Sequence, residues 1–327
     1  MPAGDHITLR DLYLARARIA SGIRRTPLVA SQSLSAPGSA RISLKLETLQ
    51  DTGAFKLRGA TNFIRASGDA VRARGVVTVS TGNHGRAVAH AARRVGARAV
   101  ICMSDLVPRN KREAIQALGA EVRIIGRSQD EAEVEAQRLV AEEGLTLVHP
   151  FDEPLVIAGQ GTIGIEILED QPEVDTVIVA LSGGGLISGI ALALKAANPG
   201  TRVVGVTMEQ GAAMYESVHA GRPVEVEEAA SLADSLGGGI GLENRYTFEL
   251  TRALVDDCVL VSESEIARAM RHLYFNERVI AEGGGAVSVA AVLADKVPDL
   301  AGNVVCVVSG GNVAMAAFTR IVAGPDR

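Results

Sequence analysis

The chain has 327 residues, of which 47% are hydrophobic and 22% are charged, and its formal net charge at pH 7 is −5. That length is enough for two domains with large cores, and the composition is that of an ordinary soluble globular protein. Nucleic-acid binding is not expected, because basic residues are not concentrated in any segment and aromatic residues make up only 3% of the chain.

Short runs rich in β-branched residues alternate with helical patterns along nearly the whole chain. Runs such as Val304–Val308 are continuously apolar, which is typical of strands buried on both faces of a parallel sheet. The predicted strands are, in chain order, Ile42–Leu46, Val76–Ser80, Ala99–Met103, Val122–Ile125, Thr176–Leu181, Val203–Thr207, Val259–Val261 and Val304–Val308. This alternation predicts an α/β protein with doubly wound sheets.

Two helix starts are predicted from residues between the strands. Ser262 and Glu265 have the spacing of a capping box, which predicts a helix that begins there and runs toward Glu277. Pro108 predicts another helix start, because a residue in the first helical turn has no use for its backbone N–H group.

The alternating pattern changes at two places that suggest domain boundaries. One lies near Thr52 and the other near Pro150, where the pattern breaks. We therefore expect a small domain, residues 53–149, inserted into a large domain formed by residues 1–52 and 150–327.

Lys56 lies among small and apolar neighbours, and it is one of only five lysines among the 33 basic residues. Desolvation lowers the pKa of a lysine, and a neutral amine can act as a Schiff-base nucleophile. On local composition alone Lys56 is an ordinary lysine at the start of a helix. The motifs elsewhere in the chain favour the chemical role.

Residues 80–85 form a polar, glycine-containing turn between a predicted strand and a helical pattern. Such turns at the carboxyl end of a parallel sheet are where α/β folds place ligands. Asn83 offers a donor and an acceptor, and its glycine neighbours allow close approach of the backbone to a ligand. A tight turn with a side-chain cap explains the segment equally well, and His84 is predicted to be a structural residue of that turn.

Two further glycine turns follow buried strands. Gly183, Gly184 and Gly185 open a helix, and their backbone N–H groups suit a phosphate, although no lysine follows as in a P-loop. A dinucleotide turn stays an alternative there, because a strand and Glu209 follow. Ser309 begins the last turn and would place a neutral hydroxyl at the same sheet edge, while a simple terminal turn is the other interpretation.

A lysine, an asparagine turn, a phosphate cradle and a hydroxyl at one sheet edge are the parts of a pyridoxal phosphate site. With these motifs the chain resembles the fold-type II pyridoxal phosphate enzymes, which have a tryptophan synthase β-like fold of two doubly wound domains with the cofactor in the cleft between them. It is most similar to the threonine/serine dehydratase and serine racemase group and, within it, to the hydroxyectoine-utilisation dehydratases. The resemblance covers nearly the whole chain and rests on Lys45-x-Glu47-x-x-Gln50-x-Thr52-Gly53-x-Phe55-Lys56-x-Arg58-Gly59-Ala60, Ser80-x-Gly82-Asn83-His84, Gly183–Gly185 and Ser309-Gly310-Gly311-Asn312.

The resemblance implies a role for each motif. Lys56, next to Phe55, would bind the cofactor covalently and then take the α-proton of the substrate. Asn83 would bond the cofactor's 3′-oxygen, and Ser309 would face its pyridine nitrogen, where a hydroxyl favours β-elimination over transamination. The remaining site residues would hold the phosphate (Gly183, Gly184, Gly185 and Leu186) and the substrate carboxylate (Ser80, Thr81, Gly82, Asn83 and His84).

Three departures from related enzymes refine this expectation. Thr81 stands where racemases of this group have a serine base, so Thr81 is a second catalytic candidate and racemisation is less favoured. The stretch 207–213, where many relatives bind a divalent cation, has Glu209 as its one acidic residue, and no metal site is predicted. Because the chain ends soon after Phe318, we do not expect control through a C-terminal regulatory domain, and this suits a catabolic role.

Membrane insertion and export are not expected either. No apolar run approaches the ~20 residues of a membrane-spanning helix, and the polar N-terminus lacks the apolar stretch of a signal peptide. Three widely spaced cysteines, Cys102, Cys258 and Cys306, predict neither a disulfide framework nor a zinc site. We expect a cytoplasmic protein.

The sequence thus predicts a pyridoxal-phosphate-dependent lyase. It would convert a β-hydroxy amino acid, either threonine or serine or a hydroxyectoine-derived compound, into a 2-oxo acid and ammonia. The alternatives are β-replacement, an amino-acid racemase, a nicotinamide oxidoreductase that uses the turn at residues 183–189, and a non-catalytic pyridoxal-phosphate-binding protein. The expected partner besides the small-molecule substrate is a second copy of the chain, in a homodimer.

Overall fold

The structure is a computed structural model that describes residues 6–35, 40–80, 82–105, 107, 109–126 and 129–324. Its strands are β1 (Leu28–Ala30), β2 (Arg41–Leu46), β3 (Val76–Val79), β4 (Ala99–Met103), β5 (Glu121–Ile124), β6 (Thr146–Leu147), β7 (Thr176–Ala180), β8 (Arg202–Met208), β9 (Asp257–Val261) and β10 (Asn303–Val308). Its α-helices are α1 (Leu9–Ile19), α2 (Lys56–Ala66), α3 (Gly68–Arg74), α4 (Asn83–Arg94), α5 (Arg109–Ala117), α6 (Gln129–Glu143), α7 (Pro154–Asp170), α8 (Gly185–Ala197), α9 (Ala213–Ala220), α10 (Thr247–Leu254), α11 (Glu263–His272), α12 (Gly283–Leu293) and α13 (Met315–Val322).

These strands form two sheets. The larger sheet has the order β1-β2-β10-β7-β8-β9, and the smaller has the order β5-β4-β3-β6. All neighbouring strands are parallel except β1 and β2, which pair antiparallel at one edge of the larger sheet. The predicted α/β fold with mainly parallel sheets is confirmed.

All eight predicted strands are present, and their ends lie within two residues of the predicted ends. The central strands β3, β4 and β7 are buried along their whole length, as their continuous apolar runs predict. The prediction missed β1, with three residues, and β6, with two. Strands that short contain too few residues to show a periodic pattern.

The capping box at the start of α11 is confirmed. The Ser262 Oγ accepts the N–H of Glu265 at 3.3 Å, and the Glu265 carboxylate accepts the N–H of Ser262 at 2.7 Å. After His272 the helix continues as a π-helical turn to Glu277, the predicted end. Pro108, the other predicted helix start, lies outside the described residues.

The two sheets draw their strands from different parts of the chain. The smaller uses residues between 76 and 147, and the larger uses residues 28–46 and 176–308. The boundaries of the inserted domain, residues 53–149, stay a prediction.

The register brings three turns to the same edge of the sheets. Because β10 pairs with β2 residue by residue, Val308 opposite Leu46, these two strands end together. Ser309 follows β10, Ser182 follows shortly after β7, and Ser80 follows β3 of the smaller sheet. The turns predicted to carry the chemistry therefore lie at carboxyl ends of parallel strands.

Candidate active site

A cavity of about 920 Å³ opens at these carboxyl ends. It is lined by every predicted site residue that the structure describes: Phe55, Lys56, Ser80, Gly82, Asn83, His84, Gly183, Gly184, Gly185, Leu186 and Ser309. The second catalytic candidate, Thr81, lies outside the described residues. The fold thus brings residues about 250 positions apart in the chain to one cleft. Small-molecule sites are usually clefts of this kind.

Lys56 is the first residue of α2, and the backbone just before it is fixed to the end of β10. The N–H of Phe55 donates to the carbonyl of Ser309 at 3.0 Å, and Ala54 pairs with Gly310. The Lys56 Nζ donates to the carbonyl of Pro150 at 2.7 Å. Burial lowers the pKa of Lys56 from 10.5 to about 8, so this amine is partly neutral near pH 7 and can act as a nucleophile or a base.

The glycine turn after β7 brings backbone close to the cavity. Gly184, with a φ of +85°, precedes the first residue of α8. A Cβ on Gly183 would lie 2.4 Å from the Phe151 ring, and one on Gly185 would lie 2.9 Å from the Phe151 carbonyl oxygen. The first N–H groups of α8 have no acceptor within the helix, so this wall of the cavity is suited to an anion such as a phosphate.

Ser309 places a neutral hydroxyl in the cavity wall. The residue is only 4% exposed, and its Oγ donates to the carbonyl of Gly284 at 3.3 Å. No carboxylate occupies this position, so a ring nitrogen bound here would face a neutral group.

Asn83, at the start of α4, joins the two sides of the cleft. Its amide nitrogen donates to the Glu282 carboxylate at 2.5 Å, and its amide oxygen accepts from Asn312 at 2.6 Å. Asn312 also accepts from Arg86 at 2.9 Å. Since a carboxamide nitrogen carries two hydrogens, Asn83 keeps a second N–H for a ligand. Sequence reasoning missed Glu282 and Arg86, and the one signal for Glu282 was its place before a glycine run.

His84 is buried at 3% exposure, and its Nε2 lies 3.0 Å from the carbonyl of Val148. Burial, assisted by the charge of Lys56, lowers the pKa of His84 to about 3. The imidazole is therefore neutral near pH 7 and donates from Nε2, which is the behaviour of a residue that fixes the turn.

Comparison with known proteins identifies the family. A family model described as pyridoxal-phosphate dependent enzyme matches residues 19–310. The chain belongs to this family of pyridoxal-phosphate-dependent enzymes. The cofactor predicted from the motifs is confirmed, and the dinucleotide alternative for the turn at residues 183–189 is not needed.

The enzyme is similar to proteins of three organisms along nearly its whole length. It is 54% identical over 323 residues to a Sinorhizobium fredii protein named as a threonine dehydratase, with 99% of this chain and 97% of the relative covered. It is 42% identical over 320 residues to the Staphylococcus aureus L-threonine dehydratase catabolic TdcB, with coverages of 97% and 92%. The structure of maize serine racemase, 36% identical, superposes with a TM-score of 0.90 and covers 96% of each chain. The fold-type II architecture is confirmed.

The cavity of the enzyme fits pyridoxal phosphate. The amine with the lowered pKa can react with the aldehyde, the N–H groups at the start of α8 can hold the phosphate, and the second N–H of Asn83 is available to the 3′-oxygen. The hydroxyl of Ser309 can meet the pyridine nitrogen. These individual assignments stay predictions, since they depend on where the bound ring lies.

We expect the enzyme without cofactor to take up pyridoxal phosphate faster as the pH rises, with a midpoint near the pKa of about 8. Only the neutral amine attacks an aldehyde, and a lysine with a pKa of 8 is roughly 10% neutral at pH 7, against well under 0.1% for an ordinary lysine. The measurement is the initial rate of the absorbance change on adding cofactor, from pH 6 to 10. A rate that still rises steeply at pH 10, with no midpoint near pH 8, would contradict the desolvation of Lys56.

Substitution of Gly183→Ala is expected to weaken cofactor binding by tenfold or more. The new Cβ would overlap the Phe151 ring at 2.4 Å, so the ring or the phosphate turn must move. The dissociation constant of pyridoxal phosphate, from a fluorescence titration, provides the measurement. Gly200→Ala, in an exposed turn after the C-terminal end of α8, is the control. Equal dissociation constants for the two variants would rule out this turn as the phosphate site.

Beneath the cavity, Arg58 lies in a fully buried ion network. Its guanidinium donates to Glu47 at 2.8 Å and to Glu166 at 2.7 Å, and Lys45 donates to Glu166 at 2.7 Å. Two cations and two carboxylates thus balance. Burial alone would lower the pKa of Arg58, but the two carboxylates raise it overall. The network fixes the start of α2, two residues from Lys56, against β2 and α7.

Glu153 caps the start of α7, where its carboxylate accepts the N–H of Leu155. Glu209, the one acidic residue of the stretch 207–213, has its Oε1 3.5 Å from the Lys296 Nζ. Among the described residues, no group of three histidine, cysteine or acidic side chains is arranged to hold a metal ion. Within the same part of the chain, no helix has the length and apolarity needed to cross a membrane.

Proposed function

We propose that this enzyme catalyses β-elimination of water from a β-hydroxy amino acid, giving a 2-oxo acid and ammonia. The observation that carries the proposal is the neutral hydroxyl of Ser309 at the cavity wall, 4% exposed. A neutral partner for the pyridine nitrogen makes the cofactor a weaker electron sink, and this suits a reaction in which a β-leaving group discharges the developing negative charge.

Lys56 is the residue that we propose moves the proton. Pyridoxal phosphate supplies the electron sink for the charge that develops at the α-carbon. Lys56 Nζ lies in the cavity wall, and burial lowers its pKa to about 8. A base with a pKa near the operating pH combines a useful neutral fraction with enough basicity to take the α-proton.

The start of α4 is the proposed binding site of the substrate carboxylate. The Ser80 Oγ accepts the N–H groups of Gly82 at 3.3 Å and Gly85 at 3.0 Å, which fixes the turn before the helix. The N-terminus of α4 lies at the cavity, and its free N–H groups and positive end favour an anion. His84, neutral and bonded to Val148, adds no charge that would compete with the helix end for the carboxylate.

The names of the relatives support elimination and leave one competing reaction. The Sinorhizobium and Staphylococcus proteins are named threonine dehydratases, and threonine or serine is accordingly the first proposed substrate. A hydroxyectoine-derived amino acid is the more specialised candidate. Racemisation is the second candidate function, favoured by the similarity to maize serine racemase, and Thr81 would have to serve as its base.

We also propose a cytoplasmic homodimer, which light scattering of the purified enzyme would test.

The test is a substrate panel with the cofactor-loaded enzyme: L-threonine, L-serine, D-serine and a hydroxyectoine-derived amino acid. Ammonia and 2-oxo acid are measured together, and chiral chromatography follows inversion. We expect equal amounts of ammonia and 2-oxo acid from at least one β-hydroxy amino acid. Inversion without ammonia would establish the racemase instead, and neither product from any substrate would refute the proposed function.

A further inference from the structure

Arg86 lies on α4 one helical turn after Asn83, so the two side chains share a helix face. Arg86 lines the cavity and is partly buried. Burial lowers its pKa, and the negative charge of Glu282 opposes that effect. A guanidinium that loses hydration at a ligand cavity is stabilised by a nearby anion.

Asn312 connects Arg86 to Asn83. Its carboxamide oxygen accepts from the Arg86 Nη1 at 2.9 Å, and its nitrogen donates to the Asn83 oxygen at 2.6 Å and to the Thr52 carbonyl at 2.7 Å. The carboxamide of Asn312, which is itself bonded to the backbone of Thr52, therefore links the Arg86 guanidinium to the Asn83 amide. The hydrogen bond to Asn312 thus places the cation at this edge of the cleft.

Glu282 makes the position of this cation important. Its side chain is 6% exposed, and it accepts the first amide hydrogen of Asn83 at 2.5 Å. A buried carboxylate so close to Asn83 would repel any anionic oxygen that Asn83 binds with its second N–H. A positive charge near the carboxylate reduces this repulsion.

We infer that Arg86 offsets the charge of Glu282, so that Asn83 can hold the 3′-oxygen of the cofactor in its ionised form. Arg86 is then a residue that acts through charge, while Asn83 makes the contact. This role rests on the proposed function and on the predicted contact between Asn83 and the 3′-oxygen.

Other charged and titratable groups also face the cavity, and their charges are the same in all the variants below. They are Lys56 from α2, His84 from α4, Glu133 from α6, His149 from the segment before α7, and Glu225, Glu228 and Asp234 from the segment between α9 and α10. Arg86 is distinguished from them by its connection to Asn83 through a single side chain.

The test is the absorption spectrum of the bound cofactor, which is independent of turnover. The form with an ionised 3′-oxygen absorbs at longer wavelength than the form with a protonated one, so the ratio of the two bands reports the charge at that oxygen. For Arg86→Gln we expect the ratio to shift toward the protonated form by about tenfold at pH 7.5, equivalent to about one pKa unit. Arg93→Gln, an exposed arginine on the same helix, should leave the ratio unchanged.

Two further variants separate charge from structure. Arg86→Lys, which keeps the positive charge, should keep most of the ionised form. Adding Glu282→Gln to Arg86→Gln should restore it, because the carboxylate that Arg86 offsets is then absent. If Arg86→Gln fails to load cofactor, Glu282→Gln alone decides, since it should shift the ratio toward the ionised form.

An unchanged ratio in Arg86→Gln, or a shift that Glu282→Gln does not reverse, would overturn the role of Arg86. Failure of the proposed function looks different: the parent enzyme would then show the normal cofactor spectrum but release no ammonia from any substrate in the panel.

Discussion

Replacement of Lys56 by alanine is expected to reduce ammonia release from the best substrate by at least ~10³-fold. General-base catalysis alone contributes roughly 10²–10⁴-fold, and Lys56 is also the proposed point of covalent attachment of the cofactor. Its amine lies in the cavity, bonded to Pro150 at 2.7 Å, and no other lysine whose side chain the structure describes lines that cavity. A steady-state assay of 2-oxo acid formation, with cofactor in excess, gives the ratio of kcat values.

Lys195→Ala is the matched control for this loss. Lys195 is on α8 and pairs with Asp256 at 2.7 Å on the surface, so its removal should leave kcat within about twofold. Circular dichroism of both variants should match that of the parent, since the Lys56 side chain contributes a single hydrogen bond, to the Pro150 carbonyl. A Lys56→Ala enzyme that keeps a tenth of the parent activity would be incompatible with the proposed mechanism.

Arg58→Met is expected to lower the free energy of unfolding by about 3–5 kcal/mol, because it leaves buried carboxylates without their cation. Glu47 is fully buried and Glu166 is 6% exposed, and both accept two hydrogen bonds from the Arg58 guanidinium. Lys45 compensates for only one of the two charges. Urea titration followed by circular dichroism measures the change.

Arg138→Met tests whether loss of any ion-paired arginine has the same effect. Arg138 pairs with Glu135 and Glu142 on the exposed side of α6, where water screens the charges and the loss of stability should be far smaller than for Arg58→Met. If both variants lost similar stability, the buried network would have no special role in holding α2. Cofactor binding should fall with Arg58→Met as well, because α2 carries Lys56 at its first position.

The chemical residues next to strand ends could be predicted from the sequence. Lys56 and Ser309 each lie in a short motif whose residue types indicate the chemistry. The apolar strands before Ser182 and Ser309 place the turns that follow them at one edge of a parallel sheet. The glycine turn at Gly184 could also be predicted from the sequence. The positive φ of Gly184 favours glycine, and this local requirement can be recognised within one short segment.

The side-chain connections between distant segments could not be predicted. Arg58 bonds Glu166, 108 residues away, and Asn83 bonds Glu282, 199 residues away. No periodicity or spacing joins such pairs, since they form only when the two sheets are packed. The charge of Arg86 is likewise informative only once Asn312 is seen between it and Asn83.

The measurement that tests the account most directly is the site of covalent cofactor attachment. Borohydride reduction of the loaded enzyme fixes the cofactor to the lysine that holds it, and mass spectrometry of the peptides then locates it. We predict that the phosphopyridoxyl group is found on Lys56. Its attachment to Lys45, Lys111, Lys195 or Lys296 instead, or its absence from every lysine, would contradict the assignment of the active site.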